Sequence, residues 1–210
     1  MMEKDAEPAR GQGRAQRRAS RTRKRLLDAA LAMFSEKGIE ATAIEDITEK
    51  ADVGKGTFYR HFGNKEALVA ALMETAVGRL VEKIKAPKTP ENMEGALEHL
   101  LDAHYAFFTE RTEEFLLLFQ GRVLVKLQKD GGDAEPQFAP YLKELEQQIA
   151  GFVPQPVAES KVRRIVAALA GFVFVRFALA TPQAAPEETD KVVQPLRRSF
   201  VAGLAALLGH

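Results

Sequence analysis

Helical periodicity runs through almost the whole chain, with apolar side chains returning every three or four positions, and no alternating strand pattern interrupts it. The fold class expected is all-α. Glycine and proline punctuate the pattern. Lys37-Gly38 places a cation and a glycine stop after Leu27, Leu31 and Phe34, and Gly63-Asn64 breaks a short helix ending at Phe62. Ala86-Pro87-Lys88-Thr89-Pro90 ends the helix that begins near Lys65. Thr42-Ala-Ile-Glu45 has the form of a capping box, in which the threonine hydroxyl takes an orphan amide and the glutamate reaches back to the cap. It predicts a helix running to about Ala51, with Ile44 and Ile47 facing inward. Three short helices are thus followed by longer, more apolar ones at about 91–109, 112–129, 138–152, 158–180 and 188–208. The organisation expected is a flexible basic arm at 1–20, a helix-turn-helix domain at 21–66 and a helical ligand-binding and dimerisation domain at 67–210.

Charge separates these regions. Residues 1–25 hold nine Lys/Arg against three Asp/Glu; residues 1–65 carry a balance of +4 and residues 66–210 a balance of −3. A basic front suits a polyanionic partner, and it equally suits a solvated leader. The 210 residues include no cysteine, which removes disulfides, thiolate metal sites and thiol nucleophiles. Of the four histidines, His99 and His104 lie roughly 140° apart on a helix and cannot share a metal as an i, i+4 pair can. No catalytic constellation is present, so no enzyme, metal or cofactor is expected. The opening residues lack the apolar core of a secretory signal, and the most apolar run, Ile165 to Ala180, is short for a membrane span and carries Arg176. A cytoplasmic location without membrane contact is the expectation.

The segment GKGTFYRHFGNK, residues 54–65, concentrates glycine, cations and aromatic rings. A phosphate-cradling P-loop needs a preceding strand and Gly-Lys followed by Ser or Thr, whereas Lys55 is followed by Gly56. On a helix, Phe58 and Phe62 share one side and belong in the core. Gly56, Thr57, Arg60 and His61 fall opposite, bordered by Lys55 and Tyr59. Glycine and threonine are weak helix formers, so their presence on an outward face points to contact with a partner. Hydroxyl, guanidinium and imidazole groups there suit base edges or phosphates in a groove. A short helix, a tight turn and this second helix make a helix-turn-helix, whose second helix enters the major groove.

The stretch from Arg21 to about Leu72 resembles the DNA-binding domain of the tetracycline-repressor (TetR) family. The residues that carry the resemblance are Ala29-Ala30, Phe34, Gly38, Ala41-Thr42, Asp46-Ile47, Ala51, Val53, the run Lys55-Gly-Thr-Phe-Tyr-Arg-His-Phe62, and Lys65-Glu66-Ala67-Leu68. Two positions depart from the pattern. Asp52 stands where glycine is usual, and aspartate tolerates a left-handed backbone; Gly54 stands where serine usually caps the reading helix, which leaves the cap without a side-chain hydrogen bond. The resemblance implies that Thr42, Tyr59 and Lys65 contact phosphates while Lys55, Gly56, Thr57, Arg60 and His61 face the groove. Arg10 to Arg25 then form an arm that lies in a minor groove or acts as a non-specific anchor.

The last two helices read as an interface. Val162, Ile165, Val166, Leu169, Phe172, Val173 and Phe177 leave little of one helix polar, and Val192, Leu196, Phe200, Leu204 and Leu208 form a stripe on the other. The resemblance implies a homodimer through these helices, presenting two reading heads about 34 to 36 Å apart to a palindromic operator in double-stranded DNA. His104, Tyr105, Phe108, Phe115, Phe119, Arg122 and Phe172 are candidate ligand-binding residues. An aromatic lining with few polar groups describes a small-molecule pocket, and also an ordinary core. The function expected is a repressor released from its operator by a small lipophilic effector. The alternatives are a DNA-binding regulator without an effector, or an activator.

Overall fold

In the computed structural model of the protein, residues 8–86, 89–120, 136–154, 156–179 and 186–208 are described, leaving aside the side chains of 8–12, 115, 119, 120, 175–179, 186–190 and 192. The described elements are the helices α1 (Pro8–Lys37), α2 (Ile44–Lys50), α3 (Lys55–Phe62), α4 (Lys65–Ile84), α5 (Met93–Glu110), α6 (Thr112–Gln120), α7 (Ala139–Ile149), α8 (Glu159–Leu179) and α9 (Pro186–Leu208). A single 3₁₀ turn at Pro136–Phe138 precedes α7. No strand occurs among the described residues, and no described helix is long and apolar enough to cross a membrane.

Two compact units form, one ending at Leu72 and the other starting at Met73. The division falls later than the expected 66, because α4 contributes the buried Leu68 and Leu72 to the first unit. In that unit, Leu26, Ala29, Ala30, Met33 and Phe34 of α1 are buried, as are Ile47, Ala51, Phe58 and Phe62. Helix α1 packs on α2, and α2 on α3. Gly38 at φ +84° and Gly63 at φ +69° close α1 and α3 in the left-handed region, where a Cβ is strained. Asp52 takes φ +50° in the turn, the conformation expected of it.

The expected arm is corrected over residues 8–20, which are helical as the first part of α1. Ala, Arg and Gln are strong helix formers, and extending a helix already anchored at Leu26 requires no new nucleus. These favourable terms outweigh Gly11 and Gly13, although no described side chain from 13 to 20 is buried.

In the second unit α5 is the hub, packing against α6, α7, α8 and α9, while α8 also packs on α7 and α9. Leu97, Leu100, Phe107, Leu145, Ile149, Ile165 and Leu169 are fully buried. Pro195 lies within α9 and removes one donor from its hydrogen-bond ladder. Arg79 of α4 pairs with the buried Glu114 of α6, and Lys83 sits 2.7 Å from Glu110. The part of the expected 112–129 helix beyond Gln120 lies outside the described residues.

Candidate nucleic-acid interface

Helix α3 is anchored by its two inward rings. Phe58 is fully buried and Phe62 nearly so, with ring centroids 5.9 Å apart. Their placement turns Gly56, Arg60, Lys55 and Tyr59 to solvent, with Thr57 and His61 half-buried beside them. Arg60 Nη2 donates to Thr57 Oγ1 at 3.3 Å, so these two side chains share the outward face. Space around Gly56 is open, and its missing side chain leaves the backbone approachable. Tyr59 is 52% exposed and meets Phe58 edge-on at 5.5 Å, which braces the phenol at the rim of the core.

The turn before α3 is built from α1. Arg25 Nη2 donates to the backbone carbonyl oxygens of Ala51 and Asp52 and pairs with Asp52 Oδ2 at 3.2 Å. At the other end of α3, the Arg23 guanidinium lies 4.7 Å from the centre of the Phe62 ring. Gly54 caps α3 without a side-chain hydrogen bond, as its sequence implies. Lys55 pairs with Glu45 of α2, and this ammonium holds the glutamate carboxyl below the usual carboxylate range. An acceptor on a ligand must therefore compete with Glu45 for Lys55.

Two expected phosphate contacts look different in three dimensions. Thr42 is buried, and its hydroxyl donates toward the carbonyl oxygens of Gly38 at 2.7 Å and Met33 at 3.3 Å. The expected capping box shifts by one residue: Ala43 is the N-cap, it has no side-chain acceptor, and its N–H donates to Asp46 Oδ2 at 3.0 Å. The Thr42 side chain is thus corrected from a phosphate ligand to a lock on the end of α1. Lys65 donates to the carbonyl oxygens of Ile39 and Thr42 at 3.0 Å each, tying α4 to the loop after α1. One of its three ammonium protons remains for another acceptor.

In the second unit α5, α8 and α9 line a partly open cavity of about 270 Å³, formed by Leu101, Asp102, Tyr105, Phe172, Val173, Val193, Gln194 and Arg197. Arg197 Nη2 lies 2.8 Å from Asp102 Oδ1 and donates to the Glu98 carbonyl at 3.3 Å. Phe172 stacks on Phe200 with centroids 4.7 Å apart. Beside this cavity, but not lining it, His104 is buried with Nδ1 2.6 Å from the Leu100 carbonyl and Nε2 2.7 Å from the Tyr141 hydroxyl. A carbonyl only accepts, so Nδ1 carries the proton and Nε2 accepts from Tyr141. Burial holds the His104 pKa down at about 4 and pushes the Tyr141 phenol up.

A sequence profile described as "Bacterial regulatory proteins, tetR family" matches residues 26–72. The HTH-type transcriptional regulator UidR of Escherichia coli is 31% identical over 146 residues, covering 70% of this chain and 69% of UidR. This chain belongs to the TetR family of transcriptional regulators. The HTH-type regulator YvdT of Bacillus subtilis is 34% identical over 95 residues, 45% of this chain, and the match spans only 48% of YvdT's own length. The solved fatty acid degradation regulator FadR of Bacillus halodurans shares the fold, with a TM-score of 0.62 at 20% identity over 85% of this chain and 94% of that one.

As a TetR-family member the protein has a DNA-binding helix-turn-helix, and α2, the Ala51–Gly54 turn and α3 are its parts. Of the residues expected in the groove, Gly56 and Arg60, with the half-buried Thr57 and His61, lie on the side of α3 away from Phe58 and Phe62, while Lys55 and Tyr59 are exposed at its border. Of the expected ligand residues, Tyr105 and Phe172 line the cavity. His104 and Phe108 are buried outside its lining, while the side chains of Phe115 and Phe119, and Arg122 altogether, lie outside the described residues. The cation at the cavity is Arg197, which the sequence reading passed over. No motif in the sequence marks it, because only the packing of α9 on α5 brings it to Asp102.

Proposed function

We propose that this protein is a cytoplasmic repressor that binds a palindromic operator as a homodimer and releases it when a small, largely apolar effector occupies the second unit. The observation that carries the reading is the outward face of α3, where Arg60, Thr57 and the approachable backbone at Gly56 stand opposite two anchored phenylalanines. Dimerisation through α8 and α9 is supported by Phe174, Leu196 and Leu207, large apolar side chains left 46–56% exposed on those helices. The effector site is supported by the α5, α8 and α9 cavity. Its lining sets Leu101, Phe172, Val173 and Val193 against the Asp102–Arg197 ion pair, Tyr105 and Gln194, which gives an effector both apolar contact and polar anchoring.

Arg60→Ala tests the reading head. On a duplex selected from a random pool by the full chain, its affinity should fall about 10- to 100-fold, and preference at one base pair should relax. Fluorescence anisotropy at fixed salt measures both. An unchanged affinity removes Arg60 from the interface. Retention of no duplex at all, even in dilute salt, sinks the regulator reading.

The effector is tested by thermal shift against small neutral and acidic lipophilic compounds. A true effector at about a hundred times its Kd should stabilise the protein by about 2.7 kcal/mol. It should also weaken operator binding, and by linkage operator DNA must weaken effector binding by the same factor. Arg197→Ala should abolish the shift. A ligand that stabilises the protein while leaving operator affinity unchanged would show that the cavity is no switch.

A further inference from the structure

The helical form of the basic segment arranges its charge in a way the linear sequence leaves open. At about 100° per residue, Arg14, Arg17, Arg18, Arg21, Lys24 and Arg25 fall within about one third of the circumference of α1. All six are exposed. The buried Leu26, Ala30, Met33 and Phe34 of α1 point away from it, and the buried Ala29 lies just beyond its edge. No acidic residue occurs in α1 before Asp28, which pairs with Lys24 at 2.6 Å. Arg14, Arg17, Arg18 and Arg21 have no ion-pair partner among the described residues.

The stripe also has a fixed starting point. Arg25, at its C-terminal end, binds the Ala51–Asp52 turn, which leads directly into the N-cap of α3. From there to Arg14 the helix rises about 16 Å. A duplex presents a dense row of phosphates, about one charge per 1.7 Å of axis, so a rod of this length spans several of them. We infer that the arginine stripe of α1 is a second DNA-binding surface, a rigid cationic rail that lies along the phosphate backbone beside the site read by α3. This rests on α3 being the reading helix, and it adds a sequence-independent contact to flanking DNA. A rail acts through charge, so lysine should replace arginine there. Arginines inserted into a minor groove would resist that exchange and would favour A·T-rich flanks.

The test uses the full chain with Arg14, Arg17, Arg18 and Arg21 all changed to alanine, or all to lysine, and duplexes selected by the wild-type protein, made with and without flanking base pairs. Circular dichroism and the thermal midpoint verify that each variant is folded. Removing four phosphate contacts per protomer, eight in the proposed dimer, should make the dependence of log affinity on log salt shallower by about 7. The wild-type loss of affinity between about 50 and 200 mM salt should then exceed the alanine variant's by about ten-thousandfold. The lysine variant should retain the wild-type slope, and trimming the flanks should weaken the wild type but not the alanine variant. An unchanged slope in the alanine variant overturns the rail. So does failure of lysine to substitute, or loss of binding to anionic phospholipid vesicles with DNA binding intact. If the wild type selects no sequence, the operator reading fails, and the slope on an arbitrary duplex of about 30 base pairs still decides the rail.

Discussion

Phe58→Ala is expected to unfold the DNA-binding head while leaving the second unit folded. Phe58 is fully buried, touches Phe62, and is one of the few large side chains in a short three-helix core. Truncating a buried phenylalanine costs about 3–5 kcal/mol, through lost transfer energy and the cavity left behind. A unit this small has little surplus stability, since whole domains typically hold about 5–15 kcal/mol. The expected signature is loss of operator binding together with loss of amide protection in residues up to Leu72. Tyr59→Ala provides the contrast. The neighbouring side chain is half exposed, so stability should change by about 0.5 kcal/mol or less. Hydrogen exchange followed across both units distinguishes the two variants. Native-like protection in the Phe58→Ala head would mean that α3 is not anchored by this ring.

The second large effect is a loss of stability in mild acid. His104 is buried in its neutral form, and its pKa in the folded protein lies near 4 against an ordinary 6.5. Between those values the unfolded chain binds a proton that the folded chain refuses. The contribution is therefore fully present above about pH 6.5 and is lost as pH falls toward 4, amounting to about 3 kcal/mol. His104→Phe should remove most of this dependence while retaining apolar volume, although it strands the Tyr141 hydroxyl. The double change with Tyr141→Phe leaves no buried orphan and is the cleaner comparison. Urea unfolding at a series of pH values measures the slope. A slope that persists between about pH 5 and 6.5 in the double variant would assign the acid sensitivity to groups other than His104, whereas Asp46, whose carboxyl is held low chiefly by the Ala43 N–H, contributes only at lower pH.

What could be read before folding was what depends on near neighbours in the chain. The four-residue spacing of Phe58 and Phe62 determines which side of α3 turns outward, and Gly38 and Gly63 end their helices by backbone sterics alone. Other assignments had to await packing. Thr42 has the side chain of a helix cap, yet its hydroxyl goes to the Gly38 and Met33 carbonyls because burial at the end of α1 brings those acceptors within reach. The basic segment has the composition of a loose arm, and anchoring of α1 at Leu26 makes it a helix with its arginines in a row. Arg197 and Asp102 are far apart along the chain and meet only because α9 packs on α5. Periodicity belongs to the sequence because helix geometry repeats every few residues. The partner of each buried or half-buried polar atom belongs to the tertiary structure, because such an atom must be satisfied by whatever distant group the packing delivers.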